Sequence, residues 1–403
     1  MRFLLTFVLV LTLASFCFAQ TPSASPAQSA AEEKPKLRDF GSSVESFGKK
    51  PRNNSAAEKG AAETDDDDVI RIKTDLVVSD VLVVNQKGNL ITGLDESDFV
   101  ITEDRVPQKV STFSFGENST PRSIVLIIDY SESQFHYIKN SIEAAKKLVD
   151  KLAPKDRMAI VTDDVELLTG FTRDKAKLKN ELDKQLGEKV PKTGGKSLQY
   201  SALVATLNEM FDEEDVRPII IFQTDGDELQ FLKGEQTFPP YFKVRNFSFA
   251  DIRSLVSRSR ATIYTVMPGF RMLGLSRKEQ LAISARMEDD AYREAAESRG
   301  EKNSKRRRPP APGFIEYMAR EIEKQQLRLF DISTLSGGYM DFIERPEDAD
   351  HVYDNVFNVI SNRYVIGYYP TNKERNGKKR EVKIEVRGHP EYTVTGRKAY
   401  SLN

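Results

Sequence analysis

The residues SIVLIIDYSES at positions 123–133 decide the fold of this chain of 403 residues. Five consecutive aliphatic residues, 124–128, predict a strand that is buried on both faces, which is typical of a parallel sheet. An acidic and hydroxyl-rich turn follows the strand, and an amphipathic helical pattern follows the turn. Because ligands of open α/β sheets bind beyond the carboxyl ends of the strands, this turn is a candidate binding site.

The side-chain oxygens of the turn suit a hard divalent cation. Asp129, Ser131 and Ser133 alternate along the chain, so an extended turn can direct a carboxylate and two hydroxyls at one point. An oxygen-only set of this kind favours Mg²⁺, Mn²⁺ or Ca²⁺ over zinc or copper. A second buried run, 219–222, is followed by a turn that contains Asp225. The sequence therefore predicts two carboxylates over one edge of the sheet.

At these residues the sequence resembles the von Willebrand factor A-type domain. The Asp129-x-Ser131-x-Ser133 triplet and the Thr-Asp-Gly turn at 224–226 match that family's metal-ion-dependent adhesion site. The resemblance implies that Ser131 and Ser133 bind the ion directly. It also implies that Asp129 and Asp225 act directly or through water.

A third loop of the family's site supplies a threonine, and here the chain departs from the pattern. The family reads Gly-Gly-Thr before a helix that carries Ala-Leu, whereas this chain reads TGGKS at 193–197. Counting back from the Ala-Leu pair at 202–203 places Ser197 at the threonine position, with Thr193 as the alternative. Lys196 brings a positive charge next to the site, which would weaken ion binding.

Composition divides the start of the chain into two segments. Residues 1–19 have the charged start, apolar core and small-residue cleavage site of a secretory signal peptide, and the core is shorter than the ~20 residues of a membrane anchor. Residues 20–68 are rich in Ala, Ser, Pro, Glu and Lys and predict a disordered linker. Cys17 is the only cysteine, so the mature chain would contain no disulfide. We expect an exported protein, periplasmic or extracellular, with no membrane segment after cleavage.

The rest of the chain predicts an α/β domain between two groups of strands. Residues 69–118 form short strands that make half of a β-sandwich. Residues 122–362 alternate strands and helices, which predicts a doubly wound, mostly parallel sheet, the A-type domain of the resemblance. Strands return over 363–403, and we expect them to complete the sandwich. A charged segment at about 274–312 is interpreted as an insertion, a charged helix followed by a solvated loop.

The flanks of the α/β region extend the resemblance. Gly-Leu-x-x-x-Asp-Phe at 93–99 precedes the region, while the glycine pair at 337–338 and Tyr-x-x-Gly-Tyr-Tyr-Pro at 364–370 follow it. This combination resembles a family of secreted A-domain proteins best known from Acidobacteria. In A-type domains a partner's carboxylate completes the shell of the ion. The resemblance implies a secreted, non-enzymatic adhesion or protein-binding module whose protein ligand presents an acidic side chain.

Two other functions stay open. One is a structural cell-envelope protein with a vestigial metal site, because Lys196 alters the third loop. The other is a metal-dependent hydrolase, which would need a general base, and none of the three histidines (His136, His351, His389) lies in the motif loops. The net charge of −1 and the lack of aromatic residues in the basic run 305–308 give no reason to expect a nucleic-acid partner.

Overall fold

Three sheets and the helices around them make up the part of the chain that the structure describes. The computed structural model describes residues 40–49, 76–116, 120–188, 197–212, 217–228, 232–234, 244–300 and 309–401. The strands are β1 (Val77–Val84), β2 (Phe99–Glu103), β3 (Val106–Gln108), β4 (Val110–Phe115), β5 (Arg122–Ile128), β6 (Arg157–Thr162), β7 (Glu166–Thr172), β8 (Arg217–Gln223), β9 (Thr262–Pro268), β10 (Met340–Ile343), β11 (Tyr364–Tyr368), β12 (Lys379–Val386), β13 (Thr393–Thr395) and β14 (Ala399–Ser401). The helices are α1 (Ser42–Ser46), α2 (Ile138–Asp150), α3 (Lys175–Glu188), α4 (Gln199–Glu209), α5 (Phe249–Arg258), α6 (Arg277–Ser298), α7 (Phe314–Ser336) and α8 (Ala349–Ser361).

The central sheet has six strands in the order β10-β9-β8-β5-β6-β7. Neighbouring strands are parallel except β6 and β7, which are antiparallel. Ile124 of β5 pairs with Ile219 on one side and with Met158 on the other, so the aliphatic run lies in the middle of the sheet. The predicted mixed α/β architecture with a largely parallel sheet is confirmed.

Helices cover both faces of this sheet. Successive residues of a strand point to opposite faces. Leu126 packs in a core formed with α2, α3 and α8, whereas Ile127 packs in a core formed with α4, α5 and α7. Both side chains are buried, and each contributes about 2 kcal/mol by leaving water. This burial on both faces explains why β5 is an uninterrupted apolar run.

The other two sheets combine strands that precede and follow the α/β layer in the chain. Their orders are β13-β1-β11-β4 and β14-β12-β2-β3. Val81 pairs with Tyr364 in the first sheet, and Ile101 pairs with Ile384 in the second. Apolar side chains of both sheets share one core, where the rings of Phe99 and Tyr364 lie 5.1 Å apart. Early and late strands therefore pair directly, and their inner faces meet.

The glycine pair at 337–338 ends α7 instead of beginning a strand. Gly337 has a φ of 88°, in the left-handed region where a side chain would be strained. A Cβ on Gly338 would lie 1.9 Å from the carbonyl oxygen of Ile263, so the chain passes too close to β9 for any side chain. As a result, β10 begins only at Met340.

The last two strands of the chain, β13 and β14, lie in different antiparallel sheets. β13 pairs with β1 in one sheet, and β14 pairs with β12 in the other. Between the two strands Arg397 turns inward, and its Nη1 donates to the carbonyl oxygen of Ser259 at 2.5 Å. Only 5% of Arg397 is exposed. The buried Arg397 interrupts the alternation of inward and outward side chains, and the chain passes from one sheet to the other at this point.

Within the segment predicted to be a linker, residues 40–49 pack against the α/β layer. Phe40, Val44 and Phe47 contact the core on the side of α4 and α5. The backbone N–H groups of Gly41 and Ser43 each donate to the carboxylate of Glu209 at 2.8 Å. The polar composition of this segment predicts no such packing. The contacts come from three apolar side chains and from the carboxylate of Glu209.

Several sequence predictions fall on residues outside the described ranges. They are the signal peptide at 1–19, the remainder of the linker at 20–68, the start of the strands at 69–72, the loop residues 193–196 and the basic run 305–308. Among the described helices, none is both long and apolar enough to cross a membrane.

Candidate metal centre

Asp129 and Asp225 lie at the carboxyl edge of the central sheet, after two neighbouring strands. Ile128, the last residue of β5, pairs with Gln223, the last residue of β8. The N–H of Asp129 donates to the carbonyl oxygen of Gln223 at 3.1 Å and to its Oε1 at 3.0 Å. This parallel register brings the two acidic turns to the same place.

A chain of hydrogen bonds joins four of the five predicted site residues. Ser131 donates to Oδ1 of Asp129 from its hydroxyl at 2.6 Å and from its N–H at 2.9 Å. The hydroxyl oxygens of Ser131 and Ser133 are 3.1 Å apart. The Ser133 hydroxyl then donates to Oδ2 of Asp225 at 2.6 Å. The structure therefore brings Asp129, Ser131, Ser133 and Asp225 together in one cluster of oxygens.

The carboxylates of Asp129 and Asp163 are buried and that of Asp225 is half-buried, and none of the three has a cationic partner among the described residues. Burial raises the pKa of Asp129 well above its usual value, and the charges of Asp225 and Asp163 raise it further. Burial also raises the pKa of Asp225, and it raises the pKa of Asp163 to about 6. No described Lys, Arg or His forms an ion pair with these three side chains. Among the described residues, therefore, no cationic side chain offsets the cost of ionising these three carboxyl groups.

Three residues that the sequence did not single out belong to the same cluster. Gln134 donates from Nε2 to Oδ2 of Asp225 at 2.7 Å, and Gln199 donates from Nε2 to Oδ2 of Asp129 at 3.0 Å. Asp163 follows β6, the strand on the other side of β5, and accepts from the N–H of Tyr130 at 3.3 Å. An acidic pair at the end of a predicted strand could have identified Asp163, whereas no sequence signal marks the two glutamines.

Ser197 lies beside the cluster without a hydrogen bond from its hydroxyl to the other site residues in the described structure. Its backbone N–H donates to Oδ2 of Asp163 at 2.8 Å, and its φ of 50° is unusual for a residue other than glycine. Two residues later, Gln199 contacts Asp129. Residues 197–199, where the third loop ends, therefore contact the site through two hydrogen bonds, from Ser197 to Asp163 and from Gln199 to Asp129. Thr193 and Lys196 lie outside the described residues.

The donor set fits a hard divalent cation. Its carboxylate and hydroxyl oxygens are the ligands that Mg²⁺ and Ca²⁺ prefer, and a cation would supply the missing positive charge. Oε1 of Gln199 is also buried without a hydrogen-bond partner among the described residues. The described residues contain no group of three or more His, Cys, Asp or Glu arranged to hold a metal, so hydroxyl oxygens would have to complete the set.

His136, the histidine nearest to the site in sequence, contacts a residue outside the cluster. His136 follows the exposed Phe135, and its Nε2 lies 3.5 Å from Oε2 of Glu294 on α6. His351 contacts Asn355 in α8, and the His389 ring lies against Tyr392. None of the three therefore contacts the carboxylates of the cluster in the described structure. The geometry offers a charged site for binding, with no adjacent imidazole base.

Comparison with solved structures finds several proteins of low similarity. Proximal thread matrix protein 1 from the mussel byssus is 14% identical over 62% of this chain and 50% of its own length, with a TM-score of 0.37, and another of its structures has a zinc-occupied MIDAS motif. The vWF domain of the type V pili tip protein Mfa5 from Porphyromonas gingivalis is 14% identical over 60% of this chain and 95% of its own, with a TM-score of 0.36. A von Willebrand factor type A structure from Catenulispora acidiphila is 12% identical over 83% of this chain and 75% of its own, with a TM-score of 0.34.

These similarities are too weak to define a function. The chain spans about half the length of the mussel protein. No protein-family model matches the chain, and no curated protein matches it.

Proposed function

We propose that this chain is a non-enzymatic protein-binding or adhesion module that holds a divalent cation at the carboxyl edge of its central sheet. The observation that carries the proposal is the hydrogen-bonded cluster of Asp129, Ser131, Ser133 and Asp225, whose carboxylates have no cationic partner among the described residues. Mg²⁺ is the expected ion, with Mn²⁺ or Ca²⁺ as the alternatives.

Each residue of the cluster has a separate role in this proposal. Asp129 and Asp225 supply negative charge, and Ser131 and Ser133 supply hydroxyl oxygens; Ser197 is the proposed hydroxyl of the third loop. The two glutamines, Gln134 and Gln199, hold the carboxylates in fixed orientations through their amide groups. When bound, the ion would offer a coordination position to an acidic side chain of a partner protein.

We also propose a domain organisation for the exported protein. A signal peptide (1–19) and a linker (20–68) precede an A-type domain (122–362) that is inserted in a β-sandwich formed by 69–118 and 363–403. The pairing of β1 with β11 and of β2 with β12 supports the joining of the two flanks. The location would be periplasmic or extracellular.

A structural protein with a vestigial metal site is the second candidate function. The observation that favours it is the position of Ser197, which contacts Asp163 through its backbone and not through its hydroxyl. In that case the protein would bind its partners equally well with and without a cation. A metal-dependent hydrolase has less support, because the described histidines contact other residues.

Calorimetric titration of Mg²⁺ and Mn²⁺ tests the proposed ion site. We expect saturable binding to the wild-type protein and none to an Asp129→Ala variant. Glu132→Gln is the matched control, because Glu132 lies in the same turn, is exposed and accepts no hydrogen bond within the cluster. The control variant should bind as the wild type does. A folded wild-type protein that produces no heat of binding would refute the ion site.

Partner binding is tested separately from ion binding. Proteins captured in Mg²⁺ should be released by a chelator and should not be captured by Asp129→Ala. Changing the contacting carboxylate of a captured partner to an amide should abolish the association. Capture that survives both the chelator and the variant would support the structural protein instead.

A further inference from the structure

The amino-terminal edge of the central sheet, opposite the candidate metal centre, contains buried arginines. Arg122 and Arg217 are register partners at the first positions of β5 and β8, and both side chains are 2% exposed. Nε of Arg122 donates to Oδ2 of Asp156 at 2.9 Å, and Nε of Arg217 donates to Oδ1 of Asp80 at 2.8 Å. Each of these two arginines thus has one aspartate as its partner.

A third arginine in this region has no acidic partner among the described residues. Arg363, directly before β11, is fully buried. Its Nη1 donates to the carbonyl oxygens of Asp80 at 3.0 Å and Gly337 at 2.5 Å. Its Nε and Nη2 are buried without a hydrogen-bond partner among the described residues. Those two nitrogens form the planar, two-pronged edge of the guanidinium that binds anions most strongly.

Two buried phenol groups lie near this edge. The Cζ atom of Arg363 is 5.1 Å from the ring centroid of Tyr264, and the Tyr264 ring is 5.7 Å from that of Tyr339. The hydroxyls of both tyrosines are buried without a hydrogen-bond partner in the described structure. The guanidinium of Arg363 therefore also has a cation–π contact with the Tyr264 ring.

The charges of this region do not balance. Arg397 is also buried, and its side chain donates only to the carbonyl oxygens of Ser259 and Ala261 in the described structure. Together with Arg122, Arg217 and Arg363 it makes four buried arginines among the described residues of this region, against two buried aspartates, Asp80 and Asp156. The half-buried Asp341, which lies near Tyr339, has its own cationic partner in Arg271 at 3.8 Å. Water could satisfy an N–H group, but it could not neutralise the excess positive charge.

We propose that Nε and Nη2 of Arg363 bind a small monovalent anion with the size and charge of chloride, at the junction of the α/β layer and the antiparallel sheets. The hydroxyls of Tyr264 and Tyr339 are the further donors. The close approach of the backbone here, where a Cβ on Gly337 would lie 2.7 Å from the N atom of Arg397, argues against an anion larger than a halide. The anion would link β11 to the end of α7.

Bromide in crystals of the full protein gives a direct test. Bromide replaces chloride and scatters anomalously, so a peak is expected within hydrogen-bond distance of Nε and Nη2 of Arg363. Density at this position without an anomalous signal would identify water and overturn the proposal, and so would the absence of density.

Chloride dependence in solution gives an independent test. The melting temperature of the wild type should rise when chloride replaces gluconate at constant ionic strength, because an ion that binds only the folded state stabilises it. Arg363→Gln should lose this rise, whereas Arg320→Gln, a control at an exposed position on α7, should keep it. A rise of equal size in wild type and Arg363→Gln would overturn the proposal.

Tyr339→Phe keeps the test decisive even if Arg363→Gln does not fold. This variant removes one hydroxyl and retains the ring that packs against Tyr264. It should need about tenfold more chloride for the half-maximal rise, the cost of one hydrogen bond. An unchanged chloride midpoint in Tyr339→Phe would exclude the tyrosine as a donor and contradict the proposed site.

Discussion

The buried ion pair between Asp80 and Arg217 gives the sharpest stability prediction. Nε of Arg217 lies 2.8 Å from Oδ1 and 3.0 Å from Oδ2 of Asp80, and the two side chains are 2% and 3% exposed. The substitution Asp80→Asn keeps the shape of the side chain and removes its charge. The guanidinium of Arg217 would then remain buried without a counter-charge. Breaking a buried pair from one side costs about 3–5 kcal/mol, so we expect a loss of this size.

An exposed ion pair provides the matched control for this substitution. Arg253 and Asp331 form a pair of 2.5 Å whose side chains are 52% and 37% exposed. Water already solvates both charges, so Asp331→Asn should change the free energy of unfolding by less than about 1 kcal/mol. The comparison separates the cost of burying a lone charge from the general effect of removing a carboxylate.

Urea unfolding followed by circular dichroism measures both variants at low, fixed chloride. Equal slopes against urea would show that the denatured states are comparable. The double variant Asp80→Asn with Arg217→Met should recover most of the loss, because it no longer buries an unpaired charge. A free energy of unfolding for Asp80→Asn within about 1 kcal/mol of the wild type would show that the buried Arg217 does not depend on this counter-charge.

Two further predictions concern pH dependence and packing. Burial raises the pKa of Glu228 from 4.5 to about 7, so its contribution to stability is complete below pH 4.5 and is lost as the pH rises through 7. Wild type should therefore lose about 3 kcal/mol more than Glu228→Gln between these pH values, measured by urea unfolding, and parallel losses would contradict the assignment. Gly338→Ala would place its Cβ 1.9 Å from the carbonyl oxygen of Ile263 and should cost about 3 kcal/mol or prevent folding. A melting temperature equal to that of the wild type would show that the chain can move aside.

The central sheet could be predicted from the sequence because its strands are buried on both faces. The run at 124–128 has no polar residue, and burial against helices on either side leaves no position for one. The alternation of Asp129, Ser131 and Ser133 likewise predicted a cluster of oxygens, and hydrogen bonds join these three side chains to Asp225. In both cases the signal is local in the chain.

Residues that act through distant contacts could not be predicted in this way. Gln199 is adjacent to Asp129 only because α4 begins at the carboxyl edge of the sheet, and glutamine is an ordinary residue at the start of a helix. The burial of the arginines is harder to predict, because arginine is usually exposed. No pattern in the sequence around Arg363 indicates that this residue is buried. The same holds for Arg397, whose buried side chain lies between β13 and β14.

The pairing of early with late strands determines the order in which the chain can fold. Asp80 in β1 and Arg363 beside β11 are in contact across 283 positions of sequence. The α/β layer, in contrast, is formed by residues that all lie between Phe115 and Tyr364, which pair with each other. During synthesis β1 and β4 therefore lack their shared partner strand until β11 has left the ribosome. Closing these sheets is a late, long-range step, so rapid refolding of the α/β layer and slow completion of the antiparallel sheets follow from the topology.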